Sequence, residues 1–442
     1  MRYKPFDLPK GFLLGSATAS LQIEGGDTNN SWYRWCEKGK IKDGSHCIAA
    51  DDHWNRVGED IGLLKKMHHQ VYRMSIEWSR IQPEPEEFDK DAMEHYRNEI
   101  LALKKAKIEP LVTLHHFSNP LWFEDMGGWL HPDAPYIFNY YTKYMVQHLG
   151  DLVTDWVTIN EPNVYLLFGY LQGIWPPGEK KLGKYLRGAV NMIAAHTLAY
   201  RTIHEMRKLM MYDDGETKVG AAYHTRVHEP ASERKGDKRM AGIVDRLFER
   251  IFVTGMTEGK LIFPLRGDLP YDPGRFSDFM GINYYTRGFV KFVWNPAKMF
   301  MEIFDNPDCE KNDLGWEIYP EGIYRVCEKY YKMYPMPVFI TENGTCDAED
   351  AFRADYIYSH LAQVKRAIDD GIDIRRYYHW STLDNFEWLE GLSARFGLAE
   401  VDYSRNRRRT LRDSGKFYGE ICKRKSVNQG MIDKYLKKKK RG

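Results

Sequence analysis

The sequence predicts one closed, parallel (β/α)8 barrel with its active site at the C-terminal ends of the strands, spanning residues 1–442 and ending in a basic tail at 430–442. Three observations predict it. Eight short apolar runs, each closed by a turn or polar signal, alternate with segments of helical period. Reactive side chains collect where those runs end, which is where barrel enzymes place their chemistry. The rival open sheet would carry a glycine-rich phosphate loop, and neither G-x-G-x-x-G nor a Walker sequence occurs. Length alone suggests two or three domains, but barrels of this class run from about 200 to beyond 400 residues as one unit.

The runs follow in order. The first, at 11–17, leads to Gln22, and the second, at 70–77, contains Arg73 and Glu77. The third, at 108–116, closes on His115 and His116, and the fourth, at 155–161, on Asn160 and Glu161. The fifth, at 218–224, ends on His224, and the sixth, at 278–285, carries Asn283 and Tyr285. The seventh, at 337–343, holds Glu342, and the eighth, at 376–380, stops at Trp380. Between them, apolar residues recur three and four apart over 58–67, 91–107, 135–150, 186–209, 320–334 and 351–371, as amphipathic helices require.

Two of these runs end alike. Asp155-Trp156-Val157-Thr158-Ile159 passes into Asn160-Glu161-Pro162, and Pro337-Val338-Phe339-Ile340-Thr341 into Glu342-Asn343-Gly344. Both are β-branched and closed by Pro or Gly, so both read as buried strands with a carboxylate at the C-terminal end. One such glutamate is ordinarily a solvated loop residue or a helix cap. Two of them, each beside an asparagine in a chain rich in Trp and Tyr, form a candidate acid–base or nucleophile pair.

Composition narrows the partners. Lys plus Arg (64) nearly balances Asp plus Glu (62), so no global field favours nucleic acid or an anionic membrane. The basic stretches at 405–409 and 437–441 read as a solvated loop and a frayed terminus. Six scattered cysteines without C-x-x-C, and a start lacking an apolar signal core, point to a reducing cytoplasm. No apolar run approaches the roughly 18 residues of a membrane span.

Taken together, these motifs resemble glycoside hydrolase family 1, the β-glucosidase and β-galactosidase group. The likeness runs almost end to end: 15–20 with Gln22-Ile23-Glu24-Gly25, 72–80, 158–162, 281–285, 315–320, 340–344 and 380–388. It implies a retaining, exo-acting β-glycosidase that cleaves terminal, unphosphorylated β-D-glycosides, glucosides first and galactosides or fucosides next. Glu342 would be the nucleophile and Glu161 the general acid and then base, a division that requires carboxylates roughly 5–5.5 Å apart. Arg73 and Tyr285 would favour ionised Glu342, and burial would keep Glu161 protonated. By the same resemblance Gln22, His116, Asn160, Glu387 and Trp388 would bind the non-reducing sugar, with Asn160 on the 2-hydroxyl. Asn283 joins the strand-end set, and Trp380 would form an apolar wall.

The resemblance implies no cofactor or metal, and a small β-glycoside or oligosaccharide as the partner. Glu387 stands where the phospho-glycosidase branch has Ser, and a carboxylate there would repel a 6-phosphate. Leu21, Glu77, Phe117 and Trp175 depart from common family choices and are expected to reshape the pocket. The aromatic segment 286–316, with Phe289, Phe292, Trp294, Phe300 and Phe304, is expected on the leaving-group side, with packing on the surface as its alternative.

Three other readings are set against this one. A metal hydrolase wants histidines two apart on a strand or four apart on a helix, whereas His115 and His116 are adjacent and would face opposite ways. A sugar-binding pseudoenzyme would ordinarily have lost a carboxylate. A transglycosidase would share the same covalent intermediate.

Overall fold

The computed structural model describes residues 3–212, 215–295 and 298–436; the basic run 437–441 lies outside them. Eight parallel strands form the barrel: β1 (Leu13–Ala17), β2 (Val71–Ser75), β3 (Glu109–His115), β4 (Asp155–Asn160), β5 (Lys218–Pro230), β6 (Met280–Phe292), β7 (Val338–Asn343) and β8 (Ile374–Trp380). Each pairs with the next in parallel, and β8 pairs back onto β1 through Arg376↔Leu13 and Trp380↔Ala17, which closes the sheet. Closure leaves no unpaired edge and aims all eight C-terminal ends at one face.

A helix follows every strand: α1 (His53–Lys66), α2 (Lys90–Lys105), α3 (Ala134–Leu149), α4 (Leu182–Leu209), α5 (Ile251–Glu258), α6 (Glu321–Met333), α7 (Arg353–Asp369) and α8 (Asp413–Arg424). Helix α2 shows the logic. The Asp89 side chain accepts from the amides of Asp91 and Ala92 at 2.9 Å, and the last turn carries Lys104 and Lys105 against the helix dipole. Its buried residues Ala92, Met93, Tyr96, Ile100 and Leu103 form one stripe against β3 and the neighbouring helices. Removing the Asp89 cap would cost about 1 kcal/mol.

Strands β5 and β6 run past the barrel rim, pairing as far as Pro230↔Val290, and β6 then pairs antiparallel with Met301–Phe304. The aromatic segment expected on the leaving-group side builds this extension. Phe289 stacks on Phe304, Trp294 is 87% exposed, and the residues it sends to the cavity wall are Thr286, Leu314 and Trp316. The five aromatics named from sequence thus pack on one another or face solvent. Residues 430–436, grouped by sequence with the basic tail, are helical, with Met431, Ile432 and Leu436 buried. No described helix is long and apolar enough to cross a membrane.

The two barrel ends are built differently. At the N-terminal end, Arg376 at the start of β8 donates to Asp155 at the start of β4 (2.6 Å) and lies over the Phe339 ring. The C-terminal end opens into a cavity of about 360 Å³.

Candidate active site

The two glutamates named from sequence lie on the wall of that one cavity, Glu161 just after β4 and Glu342 within the end of β7. Both are nearly inaccessible, at 5% and 3% exposure. Glycine at 344 is what lets the end of β7 close onto β8: a Cβ there would sit 1.7 Å from the Trp380 carbonyl oxygen. Glu161, Phe117 and Trp388, all on the wall, adopt left-handed backbone (φ 39°, 67° and 52°). Such conformations cost roughly 1–2 kcal/mol each in non-glycine residues, so the surrounding packing holds strain at the site.

A buried arginine joins the pair. Arg73, from the middle of β2, donates through Nη1 to Glu342 Oε1 (2.5 Å) and through Nη2 to Asn160 Oδ1 (2.7 Å). Thr113 Oγ1 accepts from its Nε at 3.2 Å. Asn283 Nδ2 donates to Asn160 Oδ1 (3.1 Å) and Glu161 Oε1 (2.8 Å), and Thr341 Oγ1 fixes Asn283 from behind (2.6 Å). The chain Glu342–Arg73–Asn160–Asn283–Glu161 therefore runs unbroken beneath the cavity. Removing any link would leave a buried polar group unpaired, at about 1–3 kcal/mol or more where charge is involved.

The carboxylates differ in their partners. Both oxygens of Glu342 accept, Oε1 from Arg73 and Oε2 from Tyr285 Oη (2.6 Å). On Glu161 both contacts converge on Oε1, from Asn283 and from His224 Nδ1 at 3.2 Å. Burial pushes the Glu342 carboxyl up to about 7; Arg73 opposes this, the Glu161 charge reinforces it, and Tyr285 opposes it. The sequence expectation that Arg73 and Tyr285 favour an ionised Glu342 is right in sign, but dehydration outweighs them.

Towards the closed end, Gln22 Nε2 donates to Asn385 Oδ1 (3.0 Å), to the Phe386 carbonyl (3.0 Å) and to Glu387 Oε2 (3.3 Å). Burial, with the Glu342 charge adding to it, lifts Glu387 to about 8. Asn160 Nδ2 lies 3.0 Å from His116 Nε2. Burial holds the imidazole well below its usual pKa, and hence neutral, so Nε2 accepts and the proton sits on Nδ1. His116 Nδ1 and Gln22 Oε1 are buried without a protein partner among the described residues. One donor and one acceptor thus await a polar ligand. The rings of Trp380 and Trp388 stack near the His116 imidazole, each at 5.8 Å.

His116, Glu161, Tyr285, Glu342, Trp380, Glu387 and Trp388 line the wall itself. Gln22, Arg73, Asn160 and Asn283 are fully buried and reach it through the bonds above. All the residues singled out from sequence are therefore in one assembly. His115 faces the other way, against Trp129, with Nε2 on Asn119 (2.9 Å), as strand alternation requires.

Of the four departures, Phe117 and Trp175 line the cavity. Leu21 and Glu77 sit away from it, with Glu77 bonded to Ser20 and Ser79. His224, which in sequence has only its place at the end of the fifth run, lines the cavity and bonds Glu161. The rim residues Leu167, Phe168, Ile174 and Phe248 carried no signal, because their helices and loops look like ordinary core.

The comparisons agree with this geometry. The Glycosyl hydrolase family 1 profile matches residues 4–266 and 274–427. Beta-glucosidase A of Thermotoga maritima is 34% identical, over 98% of this chain and 100% of its own. Beta-galactosidase of Saccharolobus solfataricus is 31% identical, over 94% and 95%. The structure is similar to that of the beta-glycosidase from Pyrococcus horikoshii, with a TM-score of 0.89, 37% identity and 98% of each chain covered. With profile, relatives and barrel in agreement, the chain belongs to glycosyl hydrolase family 1 and is a retaining β-glycosidase.

Proposed function

We propose that the protein is an exo-acting β-glycosidase that removes a terminal, unphosphorylated β-D-glucosyl group, with Glu342 as nucleophile and Glu161 as acid and then base. The observation that carries the role assignment is the asymmetry of the pair: two donors on two oxygens at Glu342, two contacts on one oxygen at Glu161. Donors on both oxygens of Glu342 oppose the burial that raises it and suit it to attack as the anion, while Glu161 Oε2, with no donor among the described residues, is left to face the glycosidic oxygen.

In the first step Glu161 Oε2–H protonates the glycosidic oxygen as a Glu342 oxygen attacks the anomeric carbon. The C–O bond to the leaving group breaks, the alcohol departs and a glycosyl ester forms. With Glu342 held in the ester, Glu161 is left as the free carboxylate of the pair and serves as the base. Glu161 then takes a proton from water, the water oxygen attacks the anomeric carbon, and Glu342 is released. Arg73 and Tyr285 stabilise the returning carboxylate.

Gln22, His116, Asn160, Glu387 and Trp388 read the sugar hydroxyls, Asn160 at the 2-position, and Trp380 packs on the C–H face. The buried Glu387, already lifted to about 8, disfavours a 6-phosphate, since a dianion beside it would find no compensating charge there among the described residues. Relatives named for both glucose and galactose support a pocket of this type, and glucose is our assignment between them. The apolar rim of Leu167, Phe168, Ile174, Trp175, Leu314 and Trp316 suits an apolar or aryl leaving group. A 2-deoxy-2-fluoroglucosyl inactivator should label the peptide holding Glu342. Nitrophenyl β-glycosides should rank glucoside above galactoside and fucoside. A label elsewhere would overturn the roles, and a galactoside preference would overturn the sugar.

A further inference from the structure

We propose that Cys36, His46 and Cys47 form a zinc-binding clip beside the active-site loops, unconnected with the glycosidase chemistry. The three donors come from two segments. Cys36 lies in the helix Ser31–Glu37, and His46 and Cys47 lie in the loop that follows it. The two sulfurs and one imidazole nitrogen all fall within 4.8 Å of one another. Two sulfurs and a nitrogen are the donor set that zinc prefers over magnesium or calcium.

The spacing lets both sulfurs bind one ion without moving either cysteine. The sulfurs are 3.7 Å apart. A disulfide requires about 2.05 Å. Two thiolates at about 2.3 Å on a tetrahedral zinc stand roughly 3.8 Å apart. Both cysteines are buried while His46 is partly open, so an ion has a way in. His46 Nε2 lies 3.0 Å from Glu37 Oε1. A metal-binding histidine ordinarily donates its second nitrogen to a carboxylate in this way. That bond leaves the lone pair on Nδ1, which accepts the Ile48 amide at 3.0 Å and which the ion would take over.

A second cluster of ligand-type residues makes the contrast. His228, Asp245 and Glu249 are also mutually close, but Lys329 already pairs with both carboxylates, at 3.0 Å on Glu249. A resident ammonium does there what a cation would do. No described cation is paired with the Cys36–Cys47 pair.

The clip would stiffen what holds the sugar. From the loop after Cys36, the Lys42 amide donates to the Leu389 carbonyl (2.9 Å) and its Nζ to Glu390 (2.5 Å). Asp43 accepts the Ser393 amide (2.9 Å) and Ser45 the Leu392 amide (3.0 Å). The same loop bonds back to the Gln22 turn through Asp51 N and the Ile23 carbonyl (3.0 Å). Binding replaces two S–H bonds by two sulfur–zinc bonds, adds one nitrogen–zinc bond, and releases two protons to solvent, with water as fourth ligand.

The test uses the intact enzyme, stripped with a chelator, reloaded with Zn²⁺ and desalted. About one zinc per chain should remain by elemental analysis, and Co²⁺ in its place should give a thiolate charge-transfer band. Cys36→Ser with Cys47→Ser should abolish both, and Glu37→Gln should weaken zinc roughly 10- to 100-fold. Zinc absent from the reloaded enzyme, zinc retained by the double-serine variant, or a Cys36–Cys47 disulfide in the isolated protein would each overturn the proposal. If the serine variants fail to fold, the Co²⁺ spectrum of the unaltered chain decides alone.

Discussion

Each end of the barrel buries an arginine that crosses to a carboxylate on another strand, yet the two are put to different uses. At the N-terminal end Arg376 meets Asp155 at the feet of β8 and β4. At the C-terminal end Arg73 meets Glu342 and Asn160 at the tips of β7 and β4. The lower pair is a tie between strands, where the alternative to pairing is an isolated buried charge. The upper one adds a second carboxylate, Glu161, and an open cavity, so burial raises pKa values where a ligand can exploit them. The lesson is that ion pairing alone does not mark an active site. A surplus of buried acid facing a cavity does.

The largest effect that would break or sharpen this contrast is at the upper end. Glu342→Gln should lower kcat by at least about 10⁴-fold, since no covalent path remains. The same change should flatten the pH dependence of stability. Glu342 has its folded pKa raised to about 7 from an ordinary 4.5. The folded state therefore binds more protons than the unfolded one between those values, and parent stability falls as pH rises through that window. Melting curves should show the Tm difference between variant and parent shifting in the variant's favour from pH 5 to pH 8; a difference independent of pH would place the burial penalty elsewhere.

Glu161→Gln should slow glycosides with poor leaving groups about 10²- to 10⁴-fold while sparing activated dinitrophenyl ones. Equal losses on both, measured by initial rates, would deny it the acid role. At the lower end, Asp155→Ala strands the Arg376 charge and should cost about 3–5 kcal/mol in denaturant unfolding, with kcat per folded molecule unchanged. A matching loss of kcat would erase the distinction between the two ends.

The smallest expected effect is Tyr285→Phe. It removes the donor on Glu342 Oε2, worth about 1.5–3 kcal/mol to a charged acceptor. The Glu342 pKa should rise further, so the acid limb of kcat/KM should move to higher pH. An unmoved limb in the pH–rate profile would assign that limb to another group.

Much of this arrangement is legible in the chain. The eight strand segments, the barrel order and both glutamates follow from apolar runs broken by Pro or Gly, because short buried strands need continuous apolar, β-branched sequence. Boundaries were less legible. β5 and β6 reach Pro230 and Phe292, well past the runs that announced them, because alternation above the rim gives one-sided burial and a weaker pattern. The segment 286–316 divides between the two places its sequence allows: its ends, Thr286, Leu314 and Trp316, line the cavity, and its aromatics at 289–304 pack on the surface. A hairpin that packs Phe289 on Phe304 has the same composition as a binding wall. His224 stands in sequence as a strand-end residue without a role, because a single histidine carries no partner there, and its bond to Glu161 exists only across strands.

The sequence by itself determined the alternation of strand and helix, the carboxylates at strand ends and the family, since these depend on local pattern and on motifs of fixed spacing. Only the tertiary structure decided that Arg73, from the second strand, would join Glu342 of the seventh to Asn160 of the fourth, and that burial would lift Glu342 to about 7. Those are properties of barrel closure. Hydrogen-bond geometry and dehydration depend on distances between strands hundreds of residues apart, and no local pattern encodes them.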